Sequence, residues 1–358
     1  MVLSSDLQEA LKSLMVCADR RSSIASEKSV LLQGDGKKLT MLCSSIKGSL
    51  TLEVPAFCSL DPVGVSCAAL EKAVKVAPDD EITIELENKR VVLKSGRRTV
   101  RLKTLPAEEF TVPHIKDEEF KNYAQVEGGE LSGALLRAVR VASPDKGPLK
   151  TVSLCGDGNE IIISATDRSR LFTCAVPSVS VDSRPLLLDR DSCKALAGTI
   201  KRAEEVNIVT GPGVVRFIYD SSNWTLPIID GKFPDVAKLL PQEGERLLID
   251  PEQLKGALEG VRAVCGDLDS RLPVRLSLTT KGSKLKYRDS ELGDMEEDLP
   301  DIKLVAGKER EFGFNGAYLS DMILALANPD GLIGEPDQSV LFHDQGAKYL
   351  LMPVSLPG

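Results

Sequence analysis

Histidine is almost missing from this chain: two in 358 residues, His114 in a polar connector and His343 beside a turn. Neither has the sequence company of a metal-ligand set or a nucleophile–base–acid triad, so no catalytic residue, metal or cofactor is expected. Aromatic residues make up 4% and do not interleave with basic ones, which argues against stacking on single-stranded bases or reading base edges. No run of 18 apolar residues occurs, and residues 1–6 lack a basic segment leading into an apolar one. A membrane-spanning or secreted protein is therefore not expected, and the cytoplasm is the expected location. The eight cysteines (17, 43, 58, 67, 155, 174, 193 and 265) include no C-x-x-C pair and read as small buried or half-buried apolar residues in a reducing compartment. Gly34-Asp35-Gly36-Lys37-Lys38 and Gly231-Lys232 lack the spacing of a phosphate loop and read as turns. The densest carboxylates, at 289–301, read as a loop or edge strand with no partner to shift a proton equilibrium, hence a solvated or partner-binding face.

What is present is an ordinary globular composition, 42% hydrophobic and 27% charged, in a chain too long for one core. An L-x-x-A-L pattern starts at Leu7, Leu131 and Leu254, 124 and 123 residues apart. Leu105-Pro106, Leu226-Pro227 and Met352-Pro353 keep nearly the same period, and Ser66-Cys67-x-Ala69-Leu70 returns at Ser192-Cys193-x-Ala195-Leu196. Their shared order points to three successive units, 1–122, 123–244 and 245–358.

Within each unit the order reads helix, strands, helix, strands. In the first, Leu7, Ala10, Leu11, Leu14 and Ala18 share one helix face, and a second helix is expected over 65–76. A polar linker is expected over 108–129. In the second unit the helices fall at 131–142 and 192–203, with a hairpin around Asp157-Gly158-Asn159. In the third they fall at 251–265 and 317–327.

Basic residues recur on these helices or at their ends: Arg20, Arg21, Lys72 and Lys75 in the first unit, and Arg137, Arg140, Lys146, Lys194, Lys201 and Arg202 in the second. A solvated helix face would explain any one of them. Recurrence at matching places of repeats, in a chain of net charge −8, fits contact with a duplex backbone without sequence preference. The helix at 317–327 carries no Lys or Arg, so contact there is expected to be weak.

Five segments carry a resemblance. Ala165-Thr166-Asp167-Arg168-Ser169-Arg170-Leu171 resembles the A-T-D-G-H-R-L signature of the bacterial sliding clamp, the beta subunit of DNA polymerase III. Asp230-Gly231-Lys232-Phe233-Pro234-Asp235, with Leu240-Pro241 after it, is similar to that family's D-G-R-F-P-D-Y. Thr104-Leu105-Pro106-Ala107-x-x-Phe110, Phe314-Asn315-x-x-Tyr318-Leu319 and the terminal Leu351-Met352-Pro353-Val354 match three more landmarks in order along the chain.

The resemblance implies an α+β architecture: three tandem repeats of the DNA-clamp fold, each with two helices and two small antiparallel sheets, dimerising head to tail into a six-unit ring. It implies a non-catalytic processivity factor that encircles duplex DNA, and partnership with the polymerase III catalytic subunit, a clamp loader and other proteins bearing clamp-binding linear motifs. A non-encircling, clamp-like scaffold such as an accessory, phage or plasmid paralogue is the alternative. The positions matching the family's partner-peptide groove are Leu149, Thr166, Arg168, Arg170 and Leu171, then Pro234, Lys238 and Leu239, and finally Leu350, Met352, Pro353 and Val354. Those matching its dimer interface are Arg97, Val100 and Leu102 on one side and Cys265, Glu296 and Glu297 on the other. Arg168-Ser169 stands where the family has Gly-His, and Val354-Ser355 where a basic residue is common, so the preferred peptide is expected to differ.

Overall fold

The computed structural model describes residues 1–111, 115–145, 147–179, 181–266, 268, 273–334 and 339–355; His114 and Lys146 lie outside them. Helices α1 (Ser4–Cys17), α2 (Cys67–Lys75), α3 (Gly128–Val141), α4 (Arg190–Ile200), the short α5 (Val236–Leu239), α6 (Pro251–Cys265) and α7 (Gly316–Ile323) alternate with antiparallel strands, giving an α+β fold. No helix among the described residues is long and apolar enough to cross a membrane. The order of a helix, strands, a helix and strands occurs three times, in the pairs α1/α2, α3/α4 and α6/α7.

The residues that start these helices are written in the sequence. The Asp189 carboxylate accepts from the Asp191 and Ser192 N–H groups at 2.8 and 3.1 Å, Asp250 accepts from Gln253 N–H at 3.0 Å, and Asn315 accepts from Tyr318 N–H at 3.1 Å. Each satisfies a donor that the first turn leaves unpaired, which stabilises a helix by about 1 kcal/mol. Pro251 at the first position of α6 and Gly266 at φ +73° beyond its end complete that helix's boundaries. Gly128 has a different reason to be glycine: a Cβ there would lie 2.5 Å from the carbonyl oxygens of Ile200 and Ala203.

The described residues divide into two compact units. The first comprises 1–136, 154–161 and 176–230, and the second 137–153, 162–175 and 231–358. In the first unit twelve strands make one continuous sheet, carried across the repeats by Gly48–Pro55 pairing with Ser222–Pro227, where Leu50 faces a fully buried Trp224. Leu7, Leu11 and Leu14 of α1, one turn apart, are fully buried in that unit's core. In the second unit the strands Arg170–Pro177, Ala347–Leu351, Val340–Asp344 and Asp330–Gly334 lie side by side in that order. A separate four-stranded sheet runs Gly293–Leu299, Ser283–Asp289, Val274–Leu278, Arg310–Phe314.

Several expectations shift. The linker over 108–129 contains a strand, Lys121–Val126, paired with Val206–Gly211, and α3 begins at its end. The α2 helix begins at Cys67 because 59–66 is strand, α4 ends at Ile200, and α7 ends at Ile323. Lys201 and Arg202 therefore follow α4 rather than belong to it. The acidic stretch is an edge strand, Gly293–Leu299, and its carboxylates do have partners: Lys284 lies 2.5 Å from Glu296 and 3.2 Å from Asp298, and Lys286 lies 3.4 Å from Glu296. Hydrogen bonding from Lys284 holds the Glu296 carboxyl below the usual carboxylate range. Six of the eight cysteines are buried and two half-buried.

Candidate functional site

The residues brought together in the second unit form a row across the sheet. Leu171 stands opposite Leu350, Leu350 opposite Leu341, and Leu341 opposite Leu332, so four neighbouring strands place leucines side by side. Residues in register on adjacent strands share a face, which is why four separate stretches converge here. Leu171, Leu341 and Leu350 are buried, and Leu332, Val236, Leu240 and Met352 pack partly buried against them.

Helix α5 follows Pro234-Asp235 and lays Val236, with Leu240 just after it, on this row, while Lys238 and Leu239 turn outward. Lys238 is held to Asp235 at 3.1 Å. Pro234, Leu239 and Val354 are exposed and Met352 and Pro353 half-buried, so the two segments that pack Val236, Leu240 and Met352 on the row also carry exposed apolar side chains. Leu149, half-buried in the turn Pro148–Lys150, adds no packing to the row among the described residues.

One wall is a polar turn built around Arg170, which is buried. Its Nε donates to Asp167 at 2.9 Å, Nη1 to Asp321 of α7 at 2.9 Å, and Nη2 to the Arg140 carbonyl at 2.8 Å, while the guanidinium lies 4.0 Å from the Tyr318 ring centroid. A buried cation is tolerated only when its donors are met, and here two carboxylates and a carbonyl meet them. Asp167 also accepts from the Ser169 and Arg170 N–H groups, and the Thr166 hydroxyl donates to the Arg170 carbonyl at 2.8 Å. The Ser169 carbonyl then accepts from Met352 N–H, and the Gly313 carbonyl from Val354 N–H, each at 2.8 Å, fixing the last strand's exit.

The twelve groove positions read from the sequence thus separate by depth. Thr166, Arg170, Leu171 and Leu350 form the buried frame; Leu149, Met352 and Pro353 are half-buried; Arg168, Pro234, Lys238, Leu239 and Val354 are exposed. Sequence reasoning missed Leu332, Leu341, Val236 and Asp321. The first two sit in short apolar runs, Leu332-Ile333 and Val340-Leu341-Phe342, but only the register shows that Leu341 meets Leu350 and Leu332 meets Leu341.

Of the basic residues, Arg20, Arg21, Lys72, Lys75, Lys194, Lys201 and Arg202 in the first unit are exposed, as is Arg140 in the second. None enters an ion pair among the described residues. Arg137 differs, being half-buried with its guanidinium 5.5 Å from the Phe172 ring centroid. Helical spacing pointed it at solvent, and the aromatic face beside it drew it in. A cleft of about 580 Å³ in the first unit mixes Lys12, Lys201 and Arg202 with Asp6, Glu9 and Asp220. Among the described residues no group of three or more His, Cys, Asp or Glu side chains is arranged to hold a metal ion.

Two of the open strand edges among the described residues carry the positions matched to a dimer interface. Arg98–Pro106 pairs with Arg90–Ser95 along 98–103, but on its other side only through 104–106. Val100 and Leu102 are half-buried, Arg101 and Lys103 exposed, and Arg97 lies exposed in the turn before them. The strand Gly293–Leu299 has Glu296 exposed and Glu297 half-buried, the latter on the side of α6, 3.7 Å from where a Cβ on Gly260 would stand. Cys265 is half-buried at the end of α6.

The fold built from these elements is that of a DNA polymerase sliding clamp. The crystal structure of the DNA polymerase III subunit beta from Pseudomonas aeruginosa superposes with a TM-score of 0.89 at 24% identity, covering 99% of both chains. That of Caulobacter crescentus gives 0.88 at 22%, again over 99% of both. No family model matches the chain. The beta sliding clamp of Pseudomonas aeruginosa is 26% identical over 363 residues, 97% of each chain, and that of Escherichia coli is 28% identical over 290 residues, 77% of this chain and 76% of the relative. The bacterial beta sliding clamp is thus the family that this chain resembles along nearly its whole length, as the five segments indicated.

Proposed function

We propose that this chain works as a DNA sliding clamp, a non-catalytic processivity factor that encircles duplex DNA and tethers the replicative polymerase. The observation that carries this reading is the full-length likeness to beta sliding clamps, in sequence and in fold. Three units, 1–122, 123–244 and 245–358, form one subunit, and two subunits close head to tail. The exposed cations on the helices and just beyond their ends meet the phosphate backbone, a contact that needs no base recognition and lets the ring slide. The leucine-floored groove receives linear motifs from the polymerase III catalytic subunit, the clamp loader and other partners, with apolar anchors seated between Leu239, Met352 and Val354. The two open strand edges pair across the dimer, Arg98–Pro106 of one subunit with Gly293–Leu299 of the other. The place of work is the cytoplasm.

Retention on circular DNA tests the reading. Clamp loaded on a nicked circle stays bound in moderate salt and is lost when the circle is cut, because closure and not affinity holds it. Equal loss from circular and linear DNA favours the non-encircling scaffold, a reading that draws on the absence of Lys and Arg from α7.

A further inference from the structure

The chain leaves α1 into a loop, 19–27, whose neck is closed by the Asp19 N–H donating to the Glu27 carbonyl at 2.9 Å. Within it stands Arg20-Arg21-Ser22-Ser23-Ile24. Both arginines are exposed and form no ion pair among the described residues. The two serines differ. Ser22 is half-buried, and its hydroxyl is engaged, accepting from the Ile24 N–H at 3.0 Å. Ser23 is exposed, and its hydroxyl has no hydrogen-bond partner among the described residues. Ile24, next to it, keeps 54% of its surface in solvent and is free to enter a partner's apolar pocket.

We propose that Ser23 is a phosphorylation site, read by an arginine-directed Ser/Thr kinase, and that its phosphate releases the contact with duplex DNA assigned above to Arg20 and Arg21. The effect on DNA rests on that reading; the site itself does not. Two cations, three and two residues before the acceptor, fit acidic subsites of a kinase, and the apolar residue after it fits an apolar one, a charge pattern by which kinases select substrates. One other Ser or Thr of the chain has this pattern, Thr40, after Lys37-Lys38-Leu39 and before Met41. It lies inside a strand, opposite Gln33 on one side and Glu53 on the other, with Lys38 bound to Glu53. A kinase cleft takes unpaired backbone, which the sheet denies at Thr40 and the loop offers at Ser23. In the transfer the bond from the Ser23 Oγ to the γ-phosphorus of ATP forms as the bond to the departing ADP breaks, and the hydroxyl proton passes to the kinase's base. Residues 19–28 hold Arg20, Arg21 and Lys28 against Asp19 and Glu27, and a phosphate of about −1.5 to −2 charge turns that balance negative. Backbone spacing keeps Ser23 within about 7 Å of Arg21 and about 11 Å of Arg20. The phosphate therefore competes for the same guanidinium forks that a DNA phosphate would use.

The test uses the full-length chain, ATP and the catalytic subunit of an arginine-directed Ser/Thr kinase, followed by intact-mass and peptide mass spectrometry. A single phosphate appears on Ser23. Ser22→Ala keeps the label, Ser23→Ala loses it, and the double variant Arg20→Gln/Arg21→Gln is labelled about tenfold more slowly or less, as expected when two charged hydrogen bonds to the kinase are lost. Binding of a linear duplex at low salt is then followed by anisotropy before and after labelling. The phosphate weakens it about tenfold or more, and the slope of log affinity against log salt becomes shallower by about 2, as two phosphate contacts are withdrawn. The unlabelled double variant shows the same shallower slope. No label on Ser23, a label that survives Ser23→Ala, or unchanged duplex affinity in the labelled chain overturns the proposal. Failure of the unlabelled chain to bind duplex at any salt removes the DNA reading of Arg20 and Arg21 and the assigned effect with it, and the label on Ser23 then shows that this reading and not the site has failed.

Discussion

Leu171 stands directly opposite Leu350 in the antiparallel pairing of Arg170–Pro177 with Ala347–Leu351, 2% and 5% exposed respectively. Both match positions of a peptide groove, yet their side chains are floor and not lining. Under the proposed function they fix the shape of the site, and the residues proposed to touch a partner are the half-buried and exposed ones beside them. This division of labour gives the groove variants opposite signatures.

Leu171→Ala should cost about 2–4 kcal/mol in urea unfolding, since it removes a buried side chain from a packed row. Met352→Glu, at a half-buried position, should cost about 1 kcal/mol or less while abolishing the binding of polymerase-tail peptides. Paired unfolding and anisotropy measurements check this. Normal stability in Leu171→Ala, or undiminished peptide affinity in Met352→Glu, would mean that the row is not the floor.

Arg170→Met should destabilise the second unit by about 3–5 kcal/mol, because Asp167 loses its partner inside the protein and the tie to α7 through Asp321 is cut. Arg170→Lys should recover little of the loss. An ammonium cannot span Asp167, Asp321 and the Arg140 carbonyl as the planar fork does. Denaturant midpoints of the two variants decide it, and a lysine variant as stable as the native chain would contradict the geometry.

Arg310 grips Glu245 through two hydrogen bonds of 3.0 Å, from Nε and Nη2. That bonding lowers the Glu245 carboxyl below its ordinary value of 4.5. A carboxyl lowered in the folded state contributes stability that is fully present above pH 4.5 and is lost as pH falls through its own lower value. Glu245→Gln should therefore be less stable than the native chain at neutral pH, with the gap closing in acid. Thermal unfolding of both proteins across that range is the measurement, and a gap independent of pH refutes the assignment.

The proposed subunit pairing predicts that Leu102→Asp yields monomers at micromolar concentration by light scattering. Because Glu296 already meets Lys284 and Lys286 in its own sheet, the proposed pairing predicts a small contribution from charge and assigns the anchoring to Val100 and Leu102. The dimer should weaken as salt rises, but modestly, exposed pairs being screened and worth about 0–1 kcal/mol each. A dimer indifferent to Leu102→Asp places the interface elsewhere.

What the sequence determined by itself is local. Asp250-Pro251 and Gly266 bound α6 to the residue, because a cap, a starting proline and a left-handed glycine act within one turn. The alternation of Val100 and Leu102 with Arg101 and Lys103 fixed which side of that strand is apolar. The repeat spacing announced successive helix pairs before any of them was seen. What the tertiary structure alone decided is long-range. Lys121–Val126 is too polar to read as a strand and becomes one only because Val206–Gly211 offers it a ladder. Arg137 leaves the solvent because Phe172 lies beside it, and Arg170 is buried because α7 brings Asp321 to it. The leucine row exists only in the register of four strands, since a slip by one residue would turn each leucine to the opposite face.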